Sequence, residues 1–405
     1  MRVKMQTRLG FERIKTTAVA LLLIVYGLGM DIFISAVPGL EAIAPKYIWF
    51  FIFCATFPAL ALTTKVQKKI KSPLLFWLIA YNIISIAGLI YSKDNEWAYL
   101  AFINLCASNL ILLPIWLAAD SANRIPFWLC AIIFLMAIGS VVLDFFFPYQ
   151  MFGIMTQGVD DRAAGFYLNP NQAGFAICFL ELLLILKSPP RFVLTIILLG
   201  LIATLLTFSR GAYLLQVVLL LGLLWAGVLP REVRFVTMIA MFLAPFASLA
   251  VPLLASYLEL SDSVGLYRLN LITGQEDFGM LASDDRFIIM ISAIQSYLER
   301  PFVGGGLGYH LYWDQVGMGL GSTHNMTLRY MLDFGFIGLF IWAAFCLVIY
   351  IESRRAGHSK LALVICMLAF LASIFSHNLT ELGLFLVPLY FSAKVAHQLQ
   401  KSDKS

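Results

Sequence analysis

Charged residues are scarce in this chain, and their scarcity excludes most classes of soluble protein. Asp, Glu, Lys and Arg make up 13% of the 405 residues, whereas apolar residues make up 61% and the mean hydropathy is +0.87. So few charges cannot cover the surface of a soluble protein of this size. The composition therefore predicts an integral membrane protein, and the net charge of +5 does not indicate nucleic-acid binding.

Cysteine and histidine are also few, with six and five residues respectively. All six cysteines fall in apolar stretches without metal-type spacing, so we interpret them as small buried side chains without a redox role. No internal repeat of the kind found in inverted-repeat transporters is evident. The sequence predicts no cofactor and no metal, although the acidic pairs Asp160-Asp161 and Asp284-Asp285 do not exclude a metal site.

Long apolar stretches dominate what is present, and each is long enough to cross a membrane as a helix of about 20 residues. We therefore predict an all-α integral membrane protein with about twelve transmembrane helices. The predicted spans cover residues 16–37, 45–64, 73–91, 97–118, 125–147, 168–186, 191–208, 211–229, 235–256, 326–351, 360–377 and 382–397.

The basic residues predict the orientation of these spans, because Lys and Arg are retained on the cytoplasmic side during insertion. Alternate loops place 20 of the 28 basic residues on one side, together with both termini, which we therefore predict to be cytoplasmic. The remaining eight are Lys46, Lys93, Arg162, Arg210, Arg268, Arg286, Arg300 and Arg329. Most of these outer cations are arginines.

Polar residues concentrate in one outer segment, which divides the chain into three parts. Residues 1–256 hold spans one to nine with short outer loops at 148–167 and 208–211, residues 257–325 form a long loop, and residues 326–405 hold the last three spans. Within the long loop, Asp284 and Asp285 favour the start of a helix that Pro301 stops. Its apolar residues recur at helical spacing, so we expect it to lie on the bilayer surface or the bundle.

Several outer residues are candidates for binding an anion, and each also has a structural reading. Asn169 and Pro170 suit any helix start, but a helix N-terminus beside Arg162 also attracts anions. Arg210 fits either a lipid headgroup contact or a cavity at the membrane edge. Arg286 has acidic neighbours that can neutralise it.

His324 lies where the tenth span begins, and it too fits either a structural or a functional role. A lone histidine near a helix end is usually structural, but nearby cations favour the neutral imidazole, which accepts a proton. We interpret His310, His358 and His397 as structural and His377, in the last outer turn, as the first exception to consider.

In their order along the chain, these motifs resemble the O-antigen ligase family within the O-antigen ligase/polymerase superfamily of bacterial surface-polysaccharide enzymes. The resemblance spans essentially the whole chain. It rests on Arg162 with Gly165-Phe166 and Asn169-Pro170-Asn171, Ser209-Arg210-Gly211, Asp285-Arg286 with Arg300-Pro301, Gly304 to Gly308, Thr323-His324-Asn325, and Asp333-Phe334-Gly335 with Gly338.

The resemblance implies a fold like that of GT-C glycosyltransferases in the bacterial inner membrane, with a periplasmic active site. It implies transfer of an O-antigen glycan from undecaprenyl pyrophosphate to lipid A-core oligosaccharide, without a nucleotide sugar or metal. Our hypothesis makes His324 the general base in an inverting displacement. Arg210 and Arg286, with Arg162 as a third candidate, would hold the pyrophosphate. Asn169, Asn171 and Asn325 would orient neighbouring groups.

Three other functions stay open at this point. An O-antigen polymerase would use a growing glycan as acceptor, but a single dominant outer loop favours the ligase. A protein O-oligosaccharyltransferase would use Ser or Thr and usually carries an extra C-terminal region, which we do not expect here. A transporter of lipid-linked oligosaccharide would need ionisable groups along a path through the membrane, whereas Asp31, Asp144 and Glu181 lie near helix ends.

Overall fold

The computed structural model describes residues 2–40, 42–64, 71–92, 94–147, 162–239, 285–313, 323–354, 359–376 and 378–396, and these residues are helical with short connections and no strand. The helices are α1 (Arg2–Gly27), α2 (Met30–Ala36), α3 (Pro45–Thr63), α4 (Pro73–Ile90), α5 (Asn95–Ala118), α6 (Phe127–Phe146), α7 (Pro170–Lys187), α8 (Pro190–Leu206), α9 (Arg210–Ala226), α10 (Asp285–Leu298), α11 (Tyr309–Tyr312), α12 (Met326–Arg354), α13 (Ser359–Phe375) and α14 (Gly383–Ala396). Short 3₁₀ segments lie at Ala119–Arg124 and Gly165–Tyr167, and residues 231–239 are helical.

Six of the described helices are long and apolar enough to cross a membrane, and a bent pair in the first predicted span brings the number to seven. The other predicted spans coincide with shorter apolar helices, except the ninth, of which only residues up to 239 are described. Large apolar side chains such as Phe51, Ile83 and Phe340 are 69%, 63% and 60% exposed, as expected for contact with lipid. The chain is a multi-pass membrane protein, and the number twelve remains a prediction.

Helix starts follow the local sequence closely. Proline occupies the first turn of α3, α4, α7 and α8, where its missing N–H costs nothing and its fixed φ suits the helix. The observed starts at Pro45, Pro73 and Pro170 lie within two residues of the predicted ones. Proline therefore accounts for much of the accuracy of the predicted boundaries.

Two predicted spans differ from a straight helix. The first bends by 52° between α1 and α2, at Gly29, whose φ of 64° is left-handed. The tenth is the 29-residue α12, broken at Gly335 with φ 61° and ψ −140°. A straight helix of that length would extend about 44 Å, well beyond a hydrocarbon core of about 30 Å, so the break separates an outer piece, 326–334, from the span 336–354.

Helix α7 occupies the centre of the bundle. Every residue from Ala173 to Leu186 is buried, and all of them except Glu181 are apolar, as expected for a helix at the centre of a bundle. It packs on α6, α8, α9 and α14, and its approach to α9 is especially close. A Cβ added at Gly174 would lie 2.3 Å from the Cβ of Ala212, so glycine there allows the two helices to begin side by side.

The described polar residues separate to the two ends of the bundle. At one end Lys394 pairs with Glu352 and lies 3.6 Å from Asp120, and Lys187 donates to the carbonyls of Ala122 and Asn123 at 3.2 Å. Arg162, Arg210 and His324 lie at the other end, where α7, α9 and α12 begin. Which of these two ends faces the cytoplasm remains a prediction from the basic residues.

Candidate functional site at the convergence of three helix N-termini

Three helices begin close together at the outer end of the bundle, and each has a side-chain cap. Asn169, Ser209 and Asn325 cap α7, α9 and α12, and each accepts a hydrogen bond from a backbone amide in the first turn, at 2.9, 3.3 and 3.1 Å respectively. The partial positive charges of helix N-termini favour anions. The convergence therefore creates a positive region before any side-chain charge is counted.

The residue before each cap adopts a left-handed backbone conformation. The φ angles are 58° at Leu168, 45° at Phe208 and 48° at His324. Non-glycine residues in this region are uncommon, and they persist where surrounding packing holds them, often at binding sites. Three such residues at three neighbouring helix starts mark this end of the bundle as the best candidate for a site.

One cavity of about 300 Å³ brings together residues from distant parts of the sequence. Its polar wall consists of Arg210, Thr323, His324 and Asn325, and its other wall consists of Gly211, Met290, Ile374 and Phe375. Arg210 opens α9 and His324 lies just before α12. The same cavity is therefore lined by the predicted base, His324, and by Arg210, one of the residues predicted to bind the pyrophosphate.

Gly211 gives the cavity its shape. A Cβ at this position would lie 2.9 Å from the Phe375 ring and 3.1 Å from the Phe175 ring, so only glycine lets these rings approach α9. Phe375 ends α13 and forms part of the apolar wall. No sequence motif indicated Phe375, Ile374 or Met290 as lining residues, because their role depends on which helices become neighbours.

A hydrogen-bond network connects Arg162 to the start of α9, beside the cavity. Its Nη2 donates to Asn171 Oδ1 at 3.1 Å, and its Nε donates to the Thr207 carbonyl oxygen at 3.3 Å. Asn171 Oδ1 also accepts from Ser209 Oγ at 2.8 Å. Asn171 thus links Arg162 to the residue that precedes Arg210, and the guanidinium is tied to both α7 and α9.

The segment after Arg162 is held by a buried carboxylate. Asp144 Oδ2 accepts from the amides of Ala164 and Gly165 at 2.7 and 2.9 Å, and the Ala163 amide donates to Leu206 O at 3.2 Å. Gly165 has a positive φ of 55°, and a Cβ there would lie 2.3 Å from Ser140 Oγ. These contacts attach the segment to α6 and α8 and so determine where Arg162 stands.

Arg286 lies in the first turn of α10, which begins at Asp285 as the acidic pair predicted. Met290 follows it by four residues, so the two positions share one helix face, and Met290 lines the cavity. The same side of α10 buries Ile289 and Ala293 against α12, while Ile288 and Ile291, on the other side, are about 40% exposed. The helix thus contacts the bundle and leaves an apolar strip uncovered, in line with the amphipathic pattern.

The glycine run after Pro301 closes against the break in α12. The amides of Gly305 and Gly306 donate to the carbonyls of Leu332 and Asp333 at 2.8 and 2.9 Å, which the break at Gly335 leaves without helical partners. A Cβ at Gly304 would lie 2.6 Å from the Asp333 backbone. The glycines are therefore needed for close backbone approach rather than for contact with a ligand.

Two buried polar pairs stabilise the outer piece of α12. His310 Nδ1 lies 2.7 Å from Asp333 Oδ2, and the His310 amide donates to Asp333 Oδ1 at 2.9 Å, contacts that suit the structural interpretation of His310. Arg329 is 7% exposed and pairs with Glu381. Both pairs lie one or two turns along α12 from the cavity, where they position its first residues.

Tyr91, at the end of α4, contacts the segment that leads into the glycine run. Its hydroxyl donates to the Val303 carbonyl oxygen at 3.1 Å. Partial desolvation raises the pKa of Tyr91 above its usual value, and the Asp333 carboxylate raises this pKa further. The phenol therefore remains protonated at physiological pH and serves as a donor.

The predicted site residues differ in how directly the structure places them. Arg210, His324 and Asn325 line the cavity, Arg162 and Asn171 form the adjoining network, and Asn169 acts as the cap of α7. Only the backbone position of Arg286 is described, and Arg268 and His377 lie outside the described residues. Among the described residues, no group of three or more His, Cys, Asp or Glu is placed to hold a metal ion.

A comparison with models of known protein families gives a match. Residues 195–343 match a family model described as O-antigen ligase, from within α8 to within α12. The matched part includes Arg210, Arg286, His324 and Asn325, whereas Arg162, Asn169 and Asn171 precede it. No curated protein matches the chain.

Proposed function

We propose that this chain, a member of the O-antigen ligase/polymerase superfamily, transfers an O-antigen glycan from undecaprenyl pyrophosphate to lipid A-core oligosaccharide. The observation that carries the proposal is the single cavity shared by Arg210, His324 and Asn325. It offers a fixed cation and a proton acceptor at a point where three helix N-termini meet. This combination suits a glycosyl transfer that releases a pyrophosphate.

The leaving group explains the cations. When the bond between the anomeric carbon and the phosphate oxygen breaks, negative charge develops on the pyrophosphate, and arginine is always protonated and presents several donors to phosphate oxygens. Arg210 lines the cavity. Arg162 lies next to the cavity, where it donates a hydrogen bond to Asn171. In comparable sites, removal of one such donor lowers the rate about 10²–10³-fold.

The acceptor explains the histidine. In the proposed reaction His324 removes the proton of an acceptor sugar hydroxyl, whose oxygen attacks the anomeric carbon as undecaprenyl pyrophosphate departs from the opposite face. The anomeric configuration is therefore inverted, and the chemistry requires no metal. General base catalysis of this type contributes about 10²–10⁴-fold.

Arg286 completes the proposed donor site from the side of α10. Its position on the helix face of Met290 supports this role, because Met290 reaches the cavity. Asn325 caps α12 and lines the cavity, so it orients the backbone that carries His324. The site would face the periplasm, with both chain termini in the cytoplasm of a bacterial cell.

Two relatives of this reaction use the same donor with other acceptors. An O-antigen polymerase would extend a lipid-linked glycan, and a protein O-oligosaccharyltransferase would glycosylate Ser or Thr. The cavity chemistry fits all three, and the choice of lipid A-core rests on the resemblance described above. A transporter would need no base beside the cations, so the pairing of His324 with Arg210 favours an enzyme.

The experiment compares purified wild-type protein with Arg210→Ala, Arg286→Ala and His324→Ala in proteoliposomes that contain the lipid-linked glycan and lipid A-core. With a chelator present, we expect wild type to form capped lipid A-core, and each variant to lose about 100-fold or more in rate. Lys46→Ala is the control, since Lys46 is an exposed cation at the same end of the bundle.

Other products would identify other functions. Longer lipid-linked glycan without capped lipid A-core would indicate a polymerase, and a glycosylated peptide would indicate the protein-modifying relative. Full activity of His324→Ala would refute its role as base, and retention of anomeric configuration in the product would refute direct displacement. Movement of the lipid-linked glycan without any covalent product would indicate transport.

A further inference from the structure

A second, larger feature lies away from this site, on the lipid-facing side of the bundle. A groove of about 520 Å³ runs between α4 and the inner piece of α12. Apart from one lysine, its lining is apolar or aromatic. Its volume falls in the range of small-molecule binding sites, which are commonly about 300–1,000 Å³.

Small residues at the middle of both helices create the groove. Ala80 of α4 and Ala344 of α12 lie between larger neighbours, among them Phe76 and Phe340. Trp77 is 4% exposed and forms the floor, with its Nε1 donating to the Ile341 carbonyl oxygen at 2.9 Å. The floor is thus fixed by a hydrogen bond, and its shape does not depend on an occupant.

The length of the groove matches one leaflet of a bilayer. On α4 the lining extends from Pro73 to Ile84, which at 1.5 Å per residue is about 17 Å. This is about half of a hydrocarbon core of about 30 Å. An aliphatic chain that enters from one membrane surface would fill the groove and end near the middle of the bilayer.

The positive charge at one end of the groove indicates which headgroup the aliphatic chain carries. Lys71 is the charged residue of the lining, and it stands just before the N-terminus of α4, where Ser72 forms no side-chain cap. The Ser72 hydroxyl instead donates to Glu352 at 3.1 Å, and Lys394 pairs with Glu352. Lys71 and the positive end of the α4 dipole therefore form a positive end of the groove that suits a phosphate.

We propose that this groove binds one acyl chain of an anionic glycerophospholipid, with its phosphate at Lys71. The lipid would come from the leaflet at the Lys71 end of the bundle, opposite to the end that holds Arg210 and His324. The glycan donor cannot be the occupant, because its pyrophosphate must reach that other end. The proposed lipid site therefore stands whether or not the proposed glycosyl transfer is correct.

The test is native mass spectrometry of protein released from nanodiscs that contain equal amounts of phosphatidylglycerol and phosphatidylcholine. We expect wild type to retain phosphatidylglycerol preferentially. Lys71→Gln should lower the ratio of retained phosphatidylglycerol to phosphatidylcholine about fivefold, the effect typical of one lysine near a membrane surface. Lys46→Gln, at the other end of the bundle, should leave the ratio unchanged.

A second pair of variants tests the groove itself. Ala344→Phe should fill the groove and reduce retention of both lipids severalfold, whereas Ala343→Phe should not, since Ala343 is also exposed but lies outside the lining. Equal retention of the two lipids by wild type, or an unchanged ratio in Lys71→Gln, would overturn the proposal. If Ala344→Phe fails to fold, the exposed Lys71 decides the outcome alone.

Discussion

Asn171 connects three neighbouring residues beside the cavity through hydrogen bonds. Its Oδ1 accepts hydrogen bonds from Arg162 and Ser209, and its own amide donates to the cap Asn169 at 2.9 Å. One amide oxygen therefore connects α9 to the segment before α7. Its contribution to the proposed transfer would be made through Arg162, not through contact with the reacting atoms, so it is a positioning residue.

Asn171→Ala should release Arg162 and lower kcat/KM for the lipid-linked donor by roughly 10-fold to 100-fold. This range follows because a hydrogen bond to a charged group contributes about 1.5–3 kcal/mol and each 1.36 kcal/mol changes a rate tenfold. Asn171→Asp keeps the acceptor oxygen but adds a negative charge beside the proposed anion, so it should raise KM for the donor more than it lowers kcat.

The neighbouring Gln172→Ala serves as the control for this pair. Only the backbone amide of Gln172 takes part in the described cap, at 3.3 Å from Asn169 Oδ1, and the substitution preserves it. Wild-type kinetics for Asn171→Ala would show that the other contact of Arg162, with the Thr207 carbonyl, suffices to hold it.

At the scale of elements, the outer piece of α12 connects the cavity to the glycine run. The piece starts at the cap Asn325 and ends at Gly335, where the backbone turns and exposes two carbonyls to Gly305 and Gly306. The ψ of −140° combined with φ 61° is accessible almost only to glycine. A Cβ at Gly335 would also lie 2.5 Å from the Phe302 carbonyl carbon.

Gly335→Ala should therefore destabilise the protein by about 2–5 kcal/mol, the sum of backbone strain and overpacking. Thermal unfolding in detergent, followed by tryptophan fluorescence, would measure the change. Gly139→Ala is the matched control, because the space around Gly139 is open to 4 Å and alanine favours the helix. An unchanged unfolding temperature for Gly335→Ala would mean that α12 does not need this break.

At the scale of the whole molecule, the number of basic residues at each end of the bundle predicts its orientation in the membrane. Lys187, Lys394 and Lys71 lie at one end, and the arginines around the cavity lie at the other. The positive-inside rule predicts that the lysine end, where we expect 20 of the 28 basic residues, faces the cytoplasm. The proposed donor requires this orientation, because its glycan would be used on the periplasmic face.

Labelling with a membrane-impermeant maleimide tests the orientation. In a background without native cysteines, Tyr47→Cys, beside Lys46 at the cavity end, should react in spheroplasts with an intact inner membrane. Lys360→Cys, at the start of α13, should react only after permeabilisation, since it lies at the lysine end. The reverse pattern would place the cavity in the cytoplasm and contradict the proposed reaction.

Local sequence decided where most helices begin and which residues cap them. Proline at the first turn, Asn169 and Ser209 as caps, and the apolar stretches act within a few residues, because a cap or a missing N–H affects only its own turn. For that reason the predicted starts of α3, α4, α7 and α10 agree with the structure. The candidate residues were likewise recognisable from motifs that each lie within a few residues of sequence.

Tertiary packing alone decided which of those residues meet. Arg210 and His324 share a cavity because α9, α12 and α13 pack at one end of the bundle, and Phe375 joins them only because Gly211 leaves room for its ring. The break in α12 and the pairing of Arg329 with Glu381 arose in the same way. Such contacts depend on helices that are distant in sequence, so no local pattern specifies them.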